Sequence, residues 1–159
     1  KEVELKYETF DLDGVVNEVV DSLKLQLEKN HASVVVIREG DLTLQGDRLH
    51  LLSVIFNLLD NALKYSKEEP AIKIGLQGNE ENIVLHVTDN GIGIPQEYKD
   101  KVFDKFFRIP HGDTHNAKGY GLGLSYVAQV IQKHNGTIYI ESHPEIGTTF
   151  TITLPKNKI

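Results

Sequence analysis

Apolar side chains recur along this chain with two different spacings, and the helical spacing appears three times. The first helical stretch follows Asp11 or Asp13, either of which can cap a helix. Its apolar positions are Val15, Val16, Val19, Val20, Leu23 and Leu27. A second helix is predicted over about 47–66, and a third over about 121–134, where Asn135-Gly136 ends it.

Runs of β-branched and alternating apolar residues predict the strands. The opening stretch 3–10 alternates loosely and indicates a strand or an arm. Further strands are predicted over 32–38, 41–45, 71–76, 83–88, 137–141 and 148–154. Polar turns at 78–81 and 144–147 join two strand pairs as hairpins, which implies antiparallel pairing. The fold class is therefore α/β (α+β), a two-layer sandwich in which a mixed sheet carries about three helices on one face.

Residues 89–120 differ from the rest of the chain. Gly, Asp, Asn, Pro and His become frequent there, interrupted only by the short apolar stretch 102–107. A long segment of this kind inside a compact domain more often forms a functional lid than a tether.

Length and composition narrow the class of protein. The 159 residues suit one domain spanning 1–159, and the net charge of −6 argues against a nucleic-acid partner. The chain has no Cys, which excludes disulfides and thiolate chemistry. Its apolar runs are too short to cross a membrane, so we expect no membrane contact. Because the chain starts at Lys1 and contains no Met, we expect it to be a piece of a longer protein.

Three polar residues share one face of the second predicted helix. Asn57, Asn61 and Lys64 lie at i, i+4 and i+7. Amide oxygens can ligate a hard cation, amide nitrogens can donate to phosphate, and an ammonium group can neutralise phosphate charge. On this evidence alone, a solvated polar face remains the alternative interpretation.

Two glycine-rich segments follow. Asp89-Asn-Gly91-Ile-Gly93 would let the backbone approach a flat ligand beside a carboxylate, although an ordinary turn after a strand also explains it. Residues 119–123 repeat glycine at every second position where a helix begins, and such a helix start can bind anions. The Rossmann, Walker A and protein-kinase patterns do not fit this sequence.

Together these segments carry a family resemblance. The pattern comprises Asn57–Tyr65 (NLLDNALKY), Asp89–Ile94 (DNGIGI), Phe103–Arg108 (FDKFFR), Gly119–Leu124 (GYGLGL) and Gly147–Phe150 (GTTF). In this order the chain resembles the ATP-binding catalytic domain of bacterial sensor histidine kinases, in the wider superfamily with DNA gyrase B and MutL-type ATPases. The resemblance implies a Bergerat ATP-binding fold with ATP and Mg²⁺ as ligands.

The resemblance also implies roles for single residues. Asn57 and Asn61 would hold Mg²⁺ and the phosphates, while Lys64 and Arg108 would act catalytically by pairing with phosphate oxygens. Tyr65 would flank the adenine, and the carboxylate of Asp89 would accept a hydrogen bond from its exocyclic amine. The other residues implied to contact the nucleotide are Gly91, Gly93, Ile94, Lys118, Gly119, Gly121, Leu122, Gly123 and Thr148.

The lid of the resembled family would cover about 109–120 here. Phe103, Phe106 and Phe107 would anchor its start, with ordinary core packing as the equal alternative.

The residue at position 57 bears on the reaction. The ATP-hydrolysing relatives have Glu there, whereas the amide of Asn57 cannot take a proton from water. This favours phosphoryl transfer to a protein. None of the seven histidines is followed by Glu or Asp, as the acceptor box would require. We therefore expect the γ-phosphoryl group to go to a histidine on a separate dimerisation domain, and only indirectly to a response regulator.

The expected setting is a cytoplasmic, monomeric fragment of a sensor kinase. A GHKL-type ATPase and a nucleotide-binding pseudokinase module remain as alternatives.

Overall fold

A computed structural model of the chain describes residues 3–66, 68–104 and 120–156, and the side chains of all of these except 120–122. The strands are β1 (Glu8–Asp11), β2 (Ser33–Glu39), β3 (Thr43–Gly46), β4 (Ala71–Gly78), β5 (Asn82–Asp89), β6 (Thr137–His143) and β7 (Gly147–Pro155). The α-helices are α1 (Leu12–Ser22), α2 (Lys24–Lys29), α3 (Arg48–Lys64) and α4 (Tyr120–Lys133), and Gln96–Tyr98 form a 3₁₀ turn.

A five-stranded mixed sheet is the centre of the fold. Its strand order is β2-β4-β5-β7-β6, and only β2 and β4 pair in parallel. β1 and β3 form a separate antiparallel pair. In the register of the large sheet Asp89 lies opposite Thr148, and Thr148 lies opposite Ser142. Side chains that face each other across strands point to the same side of a sheet, so these three form one row.

One face of this sheet is buried against the helices and the other is open. Alternate residues of β4, β5 and β7 are buried, as strand geometry requires. On the open face Val35 is 53% exposed and Tyr139 is 62% exposed. The two-layer mixed fold predicted from the pattern is confirmed. No helix within the described ranges is long and apolar enough to cross a membrane.

The helix that carries Asn57 and Asn61 is fixed by an apolar stripe. Its buried apolar residues recur at helical spacing: Leu51, Val54, Ile55, Leu58, Leu59 and Ala62. α3 lies between α1 and α4 and also contacts β5. The polar face of α3 therefore has a fixed orientation relative to the end of β5.

The first predicted helix is divided in two. At Leu23 the backbone leaves helical geometry, with φ −99° and ψ 8°, and the short helix α2 follows. Leu23 is buried, but no residue of α2 is, and Leu25 is 77% exposed. Leu27 of α2 is partly buried and packs against the core, whereas α1 buries four residues there, Leu12, Val15, Val16 and Val19. The described ranges thus contain four α-helices where about three were expected.

The hairpin of β4 and β5 is longer than predicted. Its ladder extends to Gly78, which lies opposite Ile83, two residues beyond the expected end of β4. The side chain of Asn79 accepts hydrogen bonds from the backbone N–H groups of Glu81 and Asn82, both at 2.8 Å. The turn is therefore closed by its own side chain, which polarity alone could not indicate.

Candidate functional site

Asn57 lies where α3 meets the start of α4. Its Nδ2 donates to the backbone carbonyl of Ser53 at 2.8 Å, one turn earlier on α3. A Cβ added to Gly123 would come 2.9 Å from the Oδ1 of Asn57. The amide nitrogen is thus bound within α3, while the amide oxygen faces α4 as an acceptor. Gly123 allows this close approach of the two helices.

Asn61 follows one turn later and is nearly buried. The residue is 7% exposed, and its Nδ2 is buried without a hydrogen-bond partner among the described residues. An unsatisfied buried polar group costs about 1–3 kcal/mol. A bound group that offers an oxygen acceptor, as a phosphate does, would remove this cost. The amide oxygens of Asn57 and Asn61 are the type of hard ligand that Mg²⁺ takes. The residues of α3 therefore fit the predicted ligand.

Lys64 forms an ion pair within α3. Its Nζ lies 3.1 Å from a carboxylate oxygen of Asp60, one turn back on α3. Both side chains are partly exposed, at 46% for Lys64 and 32% for Asp60. Exposed pairs of this kind contribute little to stability, so the ammonium group can exchange the carboxylate for another anion at small cost.

Asp89 ends β5 with a largely buried carboxylate. Burial raises its pKa, and hydrogen bonds from the backbone N–H groups of Gly91 and Thr148 oppose that rise. The Gly91 N–H lies 2.8 Å from Oδ1. A carboxylate can accept more hydrogen bonds than these two, so it retains capacity for a donor on a ligand.

The glycines after Asp89 are required by the protein itself. A Cβ on Gly91 would lie 2.5 Å from the carbonyl oxygen of Tyr65. Gly93 has φ +78°, and a Cβ there would lie 2.4 Å from the carbonyl oxygen of His143. The sequence pattern predicts close contact of both glycines with a ligand. The structure adds that both lie tightly against other backbone segments.

The end of α3 is joined to this turn. Tyr65 follows the last residue of α3, and its carbonyl oxygen accepts a hydrogen bond from the Ile92 N–H at 3.0 Å. The turn that begins at Asp89 is therefore anchored to the helix that carries Asn57 and Asn61. The structure brings these predicted residues into one region of the molecule.

Two further predicted residues, Ile94 and Thr148, are buried beside a residue that was missed. The Ile94 N–H donates to the Oγ of Ser142 at 2.6 Å, and this Oγ lies 2.7 Å from the Oγ1 of Thr148. Ser142 occupies a core-facing position of β6, after Ile138 and Ile140. The sequence does contain a signal for Ser142, because it continues the alternation of core-facing residues of β6, and a buried hydroxyl needs hydrogen-bond partners.

A histidine connects the far ends of the two helices. The Nε2 of His134 accepts from the Asp47 N–H at 3.0 Å, and its Nδ1 lies 2.8 Å from the carbonyl oxygen of Val130. The ring must therefore be neutral, with its proton on Nδ1. Burial lowers the pKa of His134, which favours this form. Asp47 also caps α3 by accepting from the His50 N–H.

Several predicted residues lie outside the described part of the chain: Arg108, Lys118, Gly119, Phe106, Phe107 and positions 109–119 of the predicted lid. Gly121 and Leu122 lie in the first turn of α4. Phe103 is described and packs edge-on against Phe150, with 6.5 Å between ring centroids. This contact is the core packing given above as one of its two interpretations.

Comparison with known proteins identifies the family. The family model described as "Histidine kinase-, DNA gyrase B-, and HSP90-like ATPase" matches residues 46–158. Sensor protein RprX of Bacteroides fragilis is 39% identical over 154 residues, which cover 95% of this chain and 30% of RprX. The chain thus spans about a third of the length of this relative.

Solved structures agree with the sequence comparison. The nucleotide-free catalytic domain of histidine kinase ThkA superposes with a TM-score of 0.83 at 28% identity, covering 96% of this chain and 99% of that domain. ThkA in complex with the response regulator protein TrrA superposes with a TM-score of 0.80 at 28% identity, covering 96% of this chain and 42% of the ThkA chain. With the matched family model, these likenesses show that the chain belongs to the histidine kinase-, DNA gyrase B- and HSP90-like ATPases and is a histidine kinase catalytic domain.

Proposed function

We propose that this chain binds Mg-ATP and donates the γ-phosphoryl group to a histidine on the separate dimerisation domain of its parent sensor kinase. The observation that carries the proposal is the buried amide of Asn61, whose Nδ2 has no partner among the described residues. It lies one turn from the Oδ1 of Asn57, on the helix whose end is bonded to the turn after Asp89. A nucleotide suits this arrangement, because its metal-bound phosphates match Asn57 and Asn61 and an amine on its base matches the carboxylate of Asp89.

The polar residues of α3 would receive the phosphate end. Asn57 and Asn61 would hold Mg²⁺ through their amide oxygens, and Mg²⁺ supplies charge neutralisation when bound. Lys64 would exchange Asp60 for phosphate oxygens, with Arg108 as the second cation. Gly119, Gly121 and Gly123 would bring backbone N–H groups to the phosphates, with Lys118 and Leu122 beside them.

The base would lie at the end of β5. The carboxylate of Asp89 would accept from the exocyclic amine of adenine, and Tyr65 would flank the ring. Gly91, Gly93, Ile94 and Thr148 would complete this end of the site. Mutual positioning of phosphate and acceptor supplies most of the catalysis of phosphoryl transfer, and a separate domain can supply the acceptor.

The side chain at position 57 favours transfer to a protein over hydrolysis. An amide cannot take a proton from water, and the Nδ2 of Asn57 is already bonded to the carbonyl of Ser53. A GHKL-type ATPase would need a general base here. Measured turnover of ATP by the chain alone separates these two functions.

The setting follows from the reaction. We place the fragment in the cytoplasm, where ATP is available, as a monomer whose direct partner is the dimerisation domain. A response regulator would receive the phosphoryl group afterwards. The similarity to ThkA, whose complex with a response regulator is among the matched structures, supports this order.

Asn61→Ala tests the proposed site directly. We expect calorimetry to show Mg-ATP affinity weakened by about 1–3 kcal/mol, because a contact to charged groups is lost. Asn30→Ala, which removes an exposed amide bonded to the carbonyl of Gln26, is the matched control and should bind as the unaltered chain does. Equal affinity with and without Mg²⁺ in the unaltered chain and in Asn61→Ala would overturn the metal assignment.

A further inference from the structure

The segment 142–147, which includes the turn between β6 and β7, packs against the turn 89–94 that follows β5. The Glu145 N–H donates to the carbonyl oxygen of Ile92 at 2.7 Å, and the Ile94 N–H donates to the Oγ of Ser142 at 2.6 Å. A Cβ on Gly147 would lie 2.0 Å from the carbonyl oxygen of Asp89. Backbone from 142–147 therefore lies against 89–94 along its whole length.

Ser142 has the central position in this contact. It is 2% exposed, and its Oγ lies near three groups: the Ile94 N–H, the Gly147 carbonyl oxygen at 3.1 Å and the Thr148 Oγ1 at 2.7 Å. A serine hydroxyl offers one proton and two lone pairs. All three contacts are satisfied together in only one arrangement of protons.

That arrangement follows from what each partner can do. The Ile94 N–H can only donate and the Gly147 carbonyl can only accept, so the Ser142 proton goes to Gly147. The remaining lone pair of Ser142 must then accept from the hydroxyl of Thr148. The proton of Thr148 is thereby used, and its Oγ1 keeps only lone pairs for any other contact.

Thr148 lies directly opposite Asp89 in the sheet register, and its backbone N–H hydrogen bonds the carboxylate of Asp89. The row across β5, β7 and β6 thus places two side chains with only acceptor capacity, Asp89 and Thr148, next to each other. A group with two N–H donors, or one N–H and a bridging water, matches them. A keto oxygen would face acceptors alone.

We propose that Ser142 is a positioning residue for base recognition. It fixes the 89–94 turn through Ile94 and sets the hydroxyl of Thr148 as an acceptor, so that the site selects a 6-amino purine over a 6-keto purine. This inference rests on the proposed binding of ATP. Ser142 acts through Thr148 and need not touch the nucleotide.

The test compares ATP with inosine triphosphate, which has a keto group in place of the amine of ATP and the same triphosphate. For the whole chain with Mg²⁺, we expect Ser142→Ala to weaken ATP binding about tenfold more than it weakens inosine triphosphate binding. Tenfold corresponds to the loss of about one hydrogen bond. Thr148→Val should reduce the ATP preference in the same way. The double variant should lose no more than either single one, because both changes break one network.

Thr149→Val is the matched control, since its hydroxyl pairs with that of Thr88 at 3.0 Å on the opposite face of the same strand. It should keep the full preference for ATP. A Ser142→Ala variant that lost both nucleotides equally, or additive losses in the double variant, would overturn the inference. If Ser142→Ala does not fold, an unchanged preference in Thr148→Val overturns it. Failure of the unaltered chain to bind ATP would refute the proposed function instead.

Discussion

At the scale of single residues, the candidate site is built from side chains that keep one hydrogen-bond donor or acceptor unused. Asn61 keeps a buried donor without a partner among the described residues, and Asn57 keeps its amide oxygen because its nitrogen is bonded within α3. Asp89 keeps acceptor capacity beside two backbone donors. Such unused capacity in a buried position costs stability, and a ligand can recover it.

Asp89→Asn should weaken ATP binding by about tenfold or more, because the amide nitrogen would meet the amine of adenine as a second donor. Calorimetry measures the affinity, and thermal unfolding checks that the variant is folded. Asp21→Asn, on the exposed side of α1, is the control and should bind ATP normally. A folded Asp89→Asn variant with unchanged ATP affinity would rule out this role.

Gly93→Ala should destabilise the fold by about 1–3 kcal/mol, because position 93 has φ +78° and a Cβ would meet the carbonyl of His143. Gly14→Ala is the matched change inside α1, where a Cβ has nothing within 4 Å. It should stabilise the fold by about 0.5–1 kcal/mol. Chemical denaturation measures both, and the same sign for the two variants would contradict the argument.

At the scale of elements, α3 and α4 are coupled at both ends of their contact. Near the site Gly123 of α4 lies against Asn57 of α3, and at the far end His134 accepts from the Asp47 N–H that precedes α3. His134 must stay neutral to accept this bond. The two helices that carry the proposed phosphate-binding residues are therefore held together by a hydrogen bond that only the neutral form of His134 can accept.

The contribution of the His134–Asp47 contact to the free energy of unfolding should depend on pH. Burial lowers the pKa of folded His134, the Val130 carbonyl and Asp47 oppose this, and His50 adds to it. In the unfolded chain the pKa is about 6.5, so that state takes up the proton first. The free energy of unfolding should therefore fall as the pH drops below about 6.5, and should stop changing through this group once the lowered folded pKa is passed.

Denaturation at a series of pH values tests this. His134→Gln should show a shallower dependence between pH 7 and pH 5 than the unaltered chain, since position 134 no longer titrates. His31→Asn, at an exposed position with φ +54° that asparagine tolerates, should keep the original dependence. An unchanged slope in His134→Gln would assign the effect to other groups.

At the scale of the whole molecule, the proposed reaction is divided between this chain and a partner. The chain matches its relatives over only part of their length, 30% of RprX. None of its seven histidines is followed by an acid. The chain carries the proposed nucleotide-binding residues, and the proposed acceptor belongs to another domain.

Mixed with the dimerisation domain of its parent kinase, the chain should transfer the γ-phosphoryl group to that domain's histidine. Labelled ATP should yield an acid-labile phosphorylated product on the dimerisation domain, while the chain alone stays unlabelled and turns ATP over negligibly. The dimerisation domain with its histidine replaced is the control. Rapid turnover by the chain alone, abolished by Asn61→Ala, would place it among the hydrolysing members of the family.

The sequence by itself determined the layers of the fold and the residue types of the site. Periodicity located the apolar stripe of α3, alternation located the buried faces of β4, β5 and β7, and the order of short motifs indicated the family. The helical and strand periodicities are set by residues a few positions apart, and they decide which face of each element is buried. The local sequence pattern is therefore sufficient to predict these buried faces.

Only the tertiary structure decided what each polar group bonds to. The Asp47 N–H donates to the Nε2 of His134, which lies 87 positions away along the chain. Ser142 joins Ile94, 48 positions away, because two hairpins are brought together by β5 and β7. Such contacts depend on strand order and register across the sheet, and the spacing of residues along the chain does not encode them.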